Sequence, residues 1–309
     1  MEPGGIKVMK FGGSCLADAE NLSRVLDIIS REKNCIVIMS ALKGVTDTIR
    51  SFIDLNVENI DLRGLSDFLS RRHMEIARSV LAGSVLAKFD DDLRSCVGLI
   101  ESYGLTLTED PVNIEKHSAF LQSFGEKISV MMVAAALRQR GLAAEYYFTD
   151  HLGIITSGDY LSGTVSMEET AENIRKPLTY SVMNGQIPVV TGYIGRNKKG
   201  ETTLLGRDGS DYTASIVASC VGSANLTLWK DVGGIMSSDP KSSHSCSVLR
   251  NLTYDQAEKL SSEGAKVIHP LAVSQAKKDL VNIRVKSLFD PLSEGSLIHG
   301  TYSMEPRSG

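Results

Sequence analysis

The chain predicts a layered α/β fold around a mostly parallel sheet, and two observations carry that prediction. Short β-rich runs alternate with longer segments of helical period along most of the 309 residues. Glycine stops and capping residues also stand at many of the joints between the two kinds of segment. In chain order, the first strand is expected at 6–10 (IKVMK), followed by a helix at 18–31. A second strand at 35–40 (CIVIMS) leads to a helix at 44–54. The region 57–122 is helix-rich and charged, with helices at 64–82 and 90–102, the latter stopped by Gly104; it reads as a helical excursion from the sheet. An apolar helix at 125–140 ends at Gly141 and precedes a strand at 144–148 (AEYYF). A helix at 168–182 and a strand at 187–193 (IPVVTGY) come next. The hydrophilic stretch 195–204, GRNKKGETTL, reads as a hairpin or loop separating two lobes of one continuous sheet. Beyond it stand a helix at 210–221 with Gly222 behind it and a strand at 225–229 (NLTLW). Thr253-x-x-Gln256 has the form of a capping box for a helix at 253–262, and Pro270 suits the first turn of a helix at 270–279. A last strand is expected at 281–286 (VNIRVK), and the tail 300–309 is expected to be disordered.

Composition narrows the function classes. A formal net charge of -4, with 42% hydrophobic and 23% charged residues, gives no support for a nucleic-acid partner. The five cysteines show no C-x-x-C spacing, and Cys35 and Cys220 lie inside apolar runs, where cysteine acts as a small hydrophobe. The six histidines have no metal-ligand spacing, so no protein metal site is expected. The N-terminus lacks the apolar stretch of a signal peptide, and no apolar run reaches bilayer length. A soluble, cytoplasmic protein without a membrane partner is the expectation.

Five stretches carry candidate chemistry. The first, KVMKFGGSCL at 7–16, runs a strand into Lys10, then Gly12, Gly13 and Ser14, then a helix-like segment. That arrangement sets free backbone N–H groups and a point charge against an anion; it is equally the form of a plain tight turn with a solvated lysine. It is no Walker A loop, because the lysine precedes the glycines. The second, LGRDGSDYT at 205–213, places Arg207, Asp208, Ser210 and Asp211 at a helix start. Arginine's planar fork matches a carboxylate or phosphate, whereas Asp211 has the simpler role of complementing the helix dipole. The third, Ser123-Phe124-Gly125-Glu126, reads by spacing as a capping box. The fourth, WKDVGGIMSSDPK at 229–241, is a nucleotide-edge loop or only a turn. The fifth, GAKVIHP at 264–270, holds His269, read as a packed or capping residue rather than a catalyst. Taken together, Lys10, Arg207 and Lys266 at glycine-containing junctions, with Glu126 and Asp211 at helix starts, suit a polyanion plus a small zwitterion.

These same motifs resemble a known family. KFGGSC is similar to the KFGGTS that opens aspartate kinases, and SFGE, GRDGSDYTA (206–214), WKDVGGIMSSDPK and GAKVIHP follow in that family's order. FDPLSEGSLI at 289–298 resembles the segment that closes the kinase domain, so the likeness spans about residues 6–298. The resemblance implies the amino-acid kinase fold, a three-layer α/β/α sandwich with two lobes. It would span 1–299, with an amino-acid-binding lobe to about 200 and an ATP-binding lobe from about 201. It implies transfer of the ATP γ-phosphoryl group to the β-carboxylate of L-aspartate, with Mg2+ held mainly by the nucleotide phosphates. This would be the entry step to lysine, threonine, methionine and isoleucine. A homodimer is expected because homo-oligomers are the common case.

Motif by motif, the resemblance implies that Lys10 contacts the transferring phosphoryl oxygens, with Phe11, Gly12 and Gly13 in the phosphate loop. Asp211 would orient that lysine and the metal-bound phosphates. Arg207 would pair with a substrate carboxylate, Glu126 with the substrate ammonium, and Ser40, Thr46 and Ser210 would line the acid pocket. Lys230, Asp231, Met236, Lys241, Lys266 and Val267 would contact ATP. Three departures stand out: Ser14-Cys15 for the usual Thr-Ser, Met236 for a frequent Tyr, and Lys241 for a frequent Arg. Cys15 thereby becomes either a mildly activated thiol or a packed bystander. Most aspartate kinases continue into paired ACT domains; this chain stops about a dozen residues past the kinase segment, so the usual feedback inhibition is not expected of it. Two alternatives stay open: a related kinase acting on glutamate, N-acetylglutamate or uridylate, and a catalytically silent nucleotide-binding subunit.

Overall fold

Period-two alternation in the strands sorts their side chains onto two faces, and each face is buried. The computed structural model describes residues 5–53, 60–110, 112–236, 247–262 and 268–300. The chain opens with β1 (Lys7–Phe11), a 3-10 turn (Gly13–Leu16), α1 (Ala19–Ser30), β2 (Cys35–Met39) and α2 (Val45–Ile53). The helical excursion holds α3 (Leu62–Val80), α4 (Gly83–Ser102), α5 (Gly104–Glu109) and α6 (Ile114–Gln139). Next come β3 (Ala144–Tyr147), α7 (Thr149–Leu152), β4 (Thr156–Ser157), β5 (Thr164–Val165), α8 (Met167–Met183) and β6 (Ile187–Thr191). A hairpin of β7 (Ile194–Arg196) and β8 (Thr202–Leu204) leads to α9 (Gly209–Val221) and β9 (Asn225–Lys230). The remaining elements are β10 (Asn251–Thr253), α10 (Tyr254–Ser262), α11 (Pro270–Lys278), β11 (Asn282–Ser287) and β12 (Ser296–His299).

The main sheet has eight strands in the order β10-β12-β11-β9-β1-β2-β6-β3, parallel throughout except for the β11–β12 pair. On one face Met9, Phe11, Val37, Met39, Val189 and Trp229 pack with α1, α3, α4 and α6. On the other, Val8, Ile36, Ile38, Val190, Leu226 and Leu228 pack with α8, α9, α10 and α11. Burial on both faces explains why these strands read as continuous apolar runs. The result is the three-layer α/β/α sandwich.

All six expected strands are present within a residue or two. The Thr253–Gln256 capping box closes reciprocally, Thr253 N–H donating to Gln256 Oε1 at 2.8 Å and Gln256 N–H to Thr253 Oγ1 at 3.2 Å. Pro270 sits in the first turn of α11. Two expectations are corrected. Gly104 does not stop a helix but begins α5. Ser123 and Glu126 do not cap a helix start, because α6 begins at Ile114 and both lie in its interior. There the Ser123 hydroxyl donates back to the Phe120 carbonyl at 2.6 Å. Buried polar residues His117, Ser118 and Gln122 interrupt the apolar pattern of α6, which is why its first half was not legible. At 26 residues α6 is long and apolar enough to cross a membrane by length and composition, yet it is almost entirely buried inside the protein.

Candidate functional site

Four neighbouring parallel strands, β9, β1, β2 and β6, end their carboxyl termini together, and the candidate residues gather there. Lys10 is the penultimate residue of β1 and points to the face covered by α9. Its ammonium lies 2.7 Å from Asp211 Oδ1, and Lys230, the last residue of β9, donates to Asp211 Oδ2 at 2.8 Å. All three side chains are largely withdrawn from water, with Asp211 at 1% exposure. Burial alone would raise the Asp211 pKa, but Lys10 and then Lys230 overcome it and hold the carboxyl far below the usual range. Two ammonium groups on one carboxylate leave a buried excess of one positive charge.

Beyond Phe11 the chain turns through Gly12 and Gly13 into the 3-10 turn, and α1 follows with Asp18 as its cap, accepting from Asn21 N–H at 2.8 Å. The Gly12 N–H faces the Trp229 carbonyl at 3.4 Å. Phe11 is fully buried and stacks on Trp229 with ring centres 5.9 Å apart, so its side chain belongs to the core. Cys15 is also fully buried; its thiol donates to the Trp229 carbonyl at 3.3 Å, and burial pushes its pKa up to about 11. That makes it the packed bystander of the two readings.

A cavity of about 310 Å3 opens beside this cluster, lined by Gly13, Ser14, Ser40, Thr46, Arg50, Glu126, Tyr193, Arg207 and Ser210 among others. Glu126 reaches it because α6 runs close beneath the β2–α2 connection. A Cβ on Gly125 would lie 2.9 Å from the Ala41 methyl and 3.2 Å from Val45, so only glycine permits that approach. Glu126 Oε1 accepts from Ala41 N–H at 3.3 Å, Oε2 has no partner, and burial pushes the pKa up to about 8. A buried carboxyl with a vacant oxygen facing a cavity suits a cationic ligand group. The opposite wall carries two non-glycine residues at positive φ, Tyr193 (69°) and Asp208 (58°), flanking the junction where β6 meets the start of α9. Arg207 stands at the rim, its side chain 79% exposed and 3.9 Å from Asp208.

The structure therefore brings Lys10, Asp211 and Lys230 into one cluster, and Ser40, Thr46, Glu126, Arg207 and Ser210 into one cavity. Asp231 is exposed, and Met236 pairs with Val248 in an isolated bridge. Lys241, Lys266 and Val267 lie outside the described residues. His269 caps α11, its Nδ1 accepting from Leu271 N–H at 3.1 Å, and stacks on Tyr212. Arg50, Gln122 and Tyr193 were missed. Arg50 follows Thr46 by one helical turn on α2, which was the available signal.

A charged, buried cluster thus stands beside a polar cavity at the carboxyl ends of a parallel sheet, the place where open α/β folds bind small molecules. The chain matches the model of the Amino acid kinase family over residues 5–287 and belongs to that family. Among curated proteins it is 31% identical to Aspartokinase 1, chloroplastic, of Arabidopsis thaliana, covering 98% of this chain and 53% of that protein. It is 29% identical to the Aspartokinase of Chlamydia pneumoniae, covering 97% of this chain and 65% of that one. The chain thus spans about half the length of the plant relatives it matches. In structure it is similar to E. coli aspartokinase III in complex with aspartate and ADP, with a TM-score of 0.85 at 25% identity, over 97% of this chain and 66% of that one. Uridylate kinase from Archaeoglobus fulgidus shares the fold, with a TM-score of 0.53 at 15% identity, over 95% of this chain and all of that one.

Proposed function

We propose that this chain transfers the γ-phosphoryl group of ATP to the β-carboxylate of L-aspartate, giving 4-phospho-L-aspartate for lysine, threonine and methionine synthesis. The observation that carries the reading is the juxtaposition of the Lys10–Asp211–Lys230 cluster with the cavity that Glu126 and Arg207 share. A side-chain carboxylate is already ionised at neutral pH, so the acceptor needs no general base. The obstacle is repulsion between two anions, and the remedy is positioning with charge neutralisation. Lys10 meets the transferring phosphoryl oxygens, and Asp211 holds both lysines in place. Mg2+ would enter with the nucleotide, held mainly by the phosphates, and would supply further charge neutralisation. Glu126 receives the ammonium of the acid, and Arg207 folds over a carboxylate from the rim.

The amino-acid-binding lobe runs to about residue 200 and the ATP-binding lobe from about 201, with Arg207 and Ser210 of the second reaching the acid cavity and Lys10 of the first reaching the phosphates, and the chain works as a homodimer. Two features of the relatives support the reading: the curated matches are named aspartokinases, and a solved neighbour holds aspartate and ADP. The test follows ATP consumption with aspartate, glutamate, N-acetylglutamate or UMP, and traps the acyl phosphate formed from aspartate with hydroxylamine. Aspartate hydroxamate from wild type, and little from Lys10→Ala, is the expected outcome. Turnover of one of the other three alone overturns the reading.

A further inference from the structure

Next to Glu126, but outside the acid cavity, lies a buried ion pair that the proposed roles leave unused. Lys127 follows Glu126 on α6, about 100° further around the helix, and the cavity lining includes Glu126 but not Lys127. The Lys127 ammonium lies 2.7 Å from Asp150 Oδ2, and the two side chains are only 8% and 5% exposed. The Phe124 and Phe148 rings flank that ammonium, with centres 5.7 and 5.6 Å away. Asp150 has two further donors: the His151 N–H reaches Oδ1 at 3.0 Å and the Thr202 hydroxyl reaches Oδ2 at 3.3 Å.

Asp150 belongs to α7, and α7 also holds the opposite wall of the cavity. The Thr149 N–H donates to Thr191 Oγ1 at 2.9 Å, and the Thr149 hydroxyl donates to the Ile194 carbonyl at 2.7 Å. The two threonine hydroxyls themselves meet at 2.8 Å, and both residues are buried. These bonds grip both ends of the turn 191–194, within which Tyr193 sits at positive φ and lines the cavity. The Tyr193 hydroxyl in turn donates to Gln122 Oε1 at 3.1 Å, one helical turn before Glu126 on α6. A closed ring results. It runs from α6 through Lys127 and Asp150 to α7, from α7 to the Tyr193 turn, and from Tyr193 back to α6.

A buried ion pair adds little net stability, because desolvation offsets most of the attraction, and a neutral pair of similar volume would hold the core as well. What the pair does fix is a distance between two elements, and small displacements of a binding wall are costly to ligand fit. We propose that Lys127 and Asp150 are positioning residues that set the spacing between Glu126 and Tyr193, and hence the fit of the amino-acid substrate. The assignment rests on the acid-kinase reading above and deepens it. Lys10, Asp211 and Lys230 stand on β1, α9 and β9, none of which belongs to the ring, so the nucleotide side is expected to be indifferent to the pair.

Thermal unfolding and calorimetric titration together test this without requiring turnover. Wild type, Lys127→Met and the double variant Lys127→Met/Asp150→Asn are titrated with L-aspartate, L-glutamate and N-acetyl-L-glutamate, and separately with MgATP. Lys127→Met strands the Asp150 charge and should lower Tm by about 4–8 °C. Adding Asp150→Asn removes that charge while still accepting from His151 and Thr202, and should return Tm to within about 2 °C of wild type. In the double variant L-aspartate should nevertheless bind roughly 5–20-fold more weakly, with MgATP held within about twofold. Recovery of acid affinity along with Tm, equal loss for acid and MgATP, or a double variant as unstable as the single one overturns the proposal. If wild type prefers glutamate or N-acetylglutamate, the aspartate reading fails and the ion pair is judged by the same criteria on that acid. Absence of binding by all three acids overturns both.

Discussion

Glu126 shows how much a single buried carboxyl commits the site to a cation. Its folded pKa of about 8 stands above the ordinary 4.5, so between those values the folded state holds a proton that the unfolded chain has lost. Stability contributed by the protonated form is therefore full below pH 4.5 and is lost as pH rises toward 8. An ammonium ligand reverses the balance, because it needs the ionised carboxylate. Affinity for the amino acid is expected to rise roughly fiftyfold from pH 6 to pH 8 and then level off. Calorimetry in buffers of different ionisation enthalpy should register the released proton, and Glu126→Gln should abolish the slope. The Lys10–Asp211–Lys230 cluster makes a second demand. Lys10→Met should lower kcat by about 10²–10³-fold in the hydroxamate assay, the scale of one lost electrostatic contact to the transition state. Asp211→Ala strands two buried ammonium groups, and should cost about 3–5 kcal/mol in denaturant unfolding. Lys10 and Asp211 were both legible in the sequence through their motifs. The resemblance also implied that Asp211 orients Lys10; that Lys230 joins the pair was not legible, because the end of β9 meets the start of α9 only in the fold.

At the scale of elements, α6 carries the largest discrepancy between pattern and structure. Spacing made Ser123 and Glu126 a capping box, and a capping box needs an N-terminus. The helix instead passes through, since Gln122 and Ser118 satisfy each other inside it and Ser123 bonds back to Phe120. The glycine between Phe124 and Glu126 then has a packing role rather than a turn role. Gly125→Ala forces a methyl against Ala41 and Val45. It should destabilise by about 1–3 kcal/mol and lower Tm by roughly 2–8 °C. The same shift draws Glu126 off the Ala41 N–H, so KM for the amino acid should rise while KM for MgATP holds. The short strands β10 and β12 escaped the sequence reading for a different reason. With three and four residues, they offer too little alternation to be told from loop. The hairpin β7–β8 was legible because a polar tip with glycine separates its two arms.

For the whole molecule, the informative quantity is sheet position. β1 lies inside the sheet between β9 and β2, covered on both faces, whereas β3 and β10 form the margins. Amide exchange should follow that order. Protons of Val8–Phe11 are expected to exchange only through global unfolding, and those of β3 and β10 through smaller openings with faster rates. Uniform exchange across all eight strands would contradict this. The layering was legible from alternating runs alone, since a sheet apolar on both faces requires helices above and below.

The interior place of β1 also has a consequence for synthesis on the ribosome. The strand carrying the first lysine of the site finds β2 soon after both have emerged, but its other edge waits for β9. Cys15 and the Trp229 carbonyl it touches are 214 residues apart in the chain. A nascent polypeptide therefore leaves this apolar strand paired on one edge alone until the intervening residues have been made.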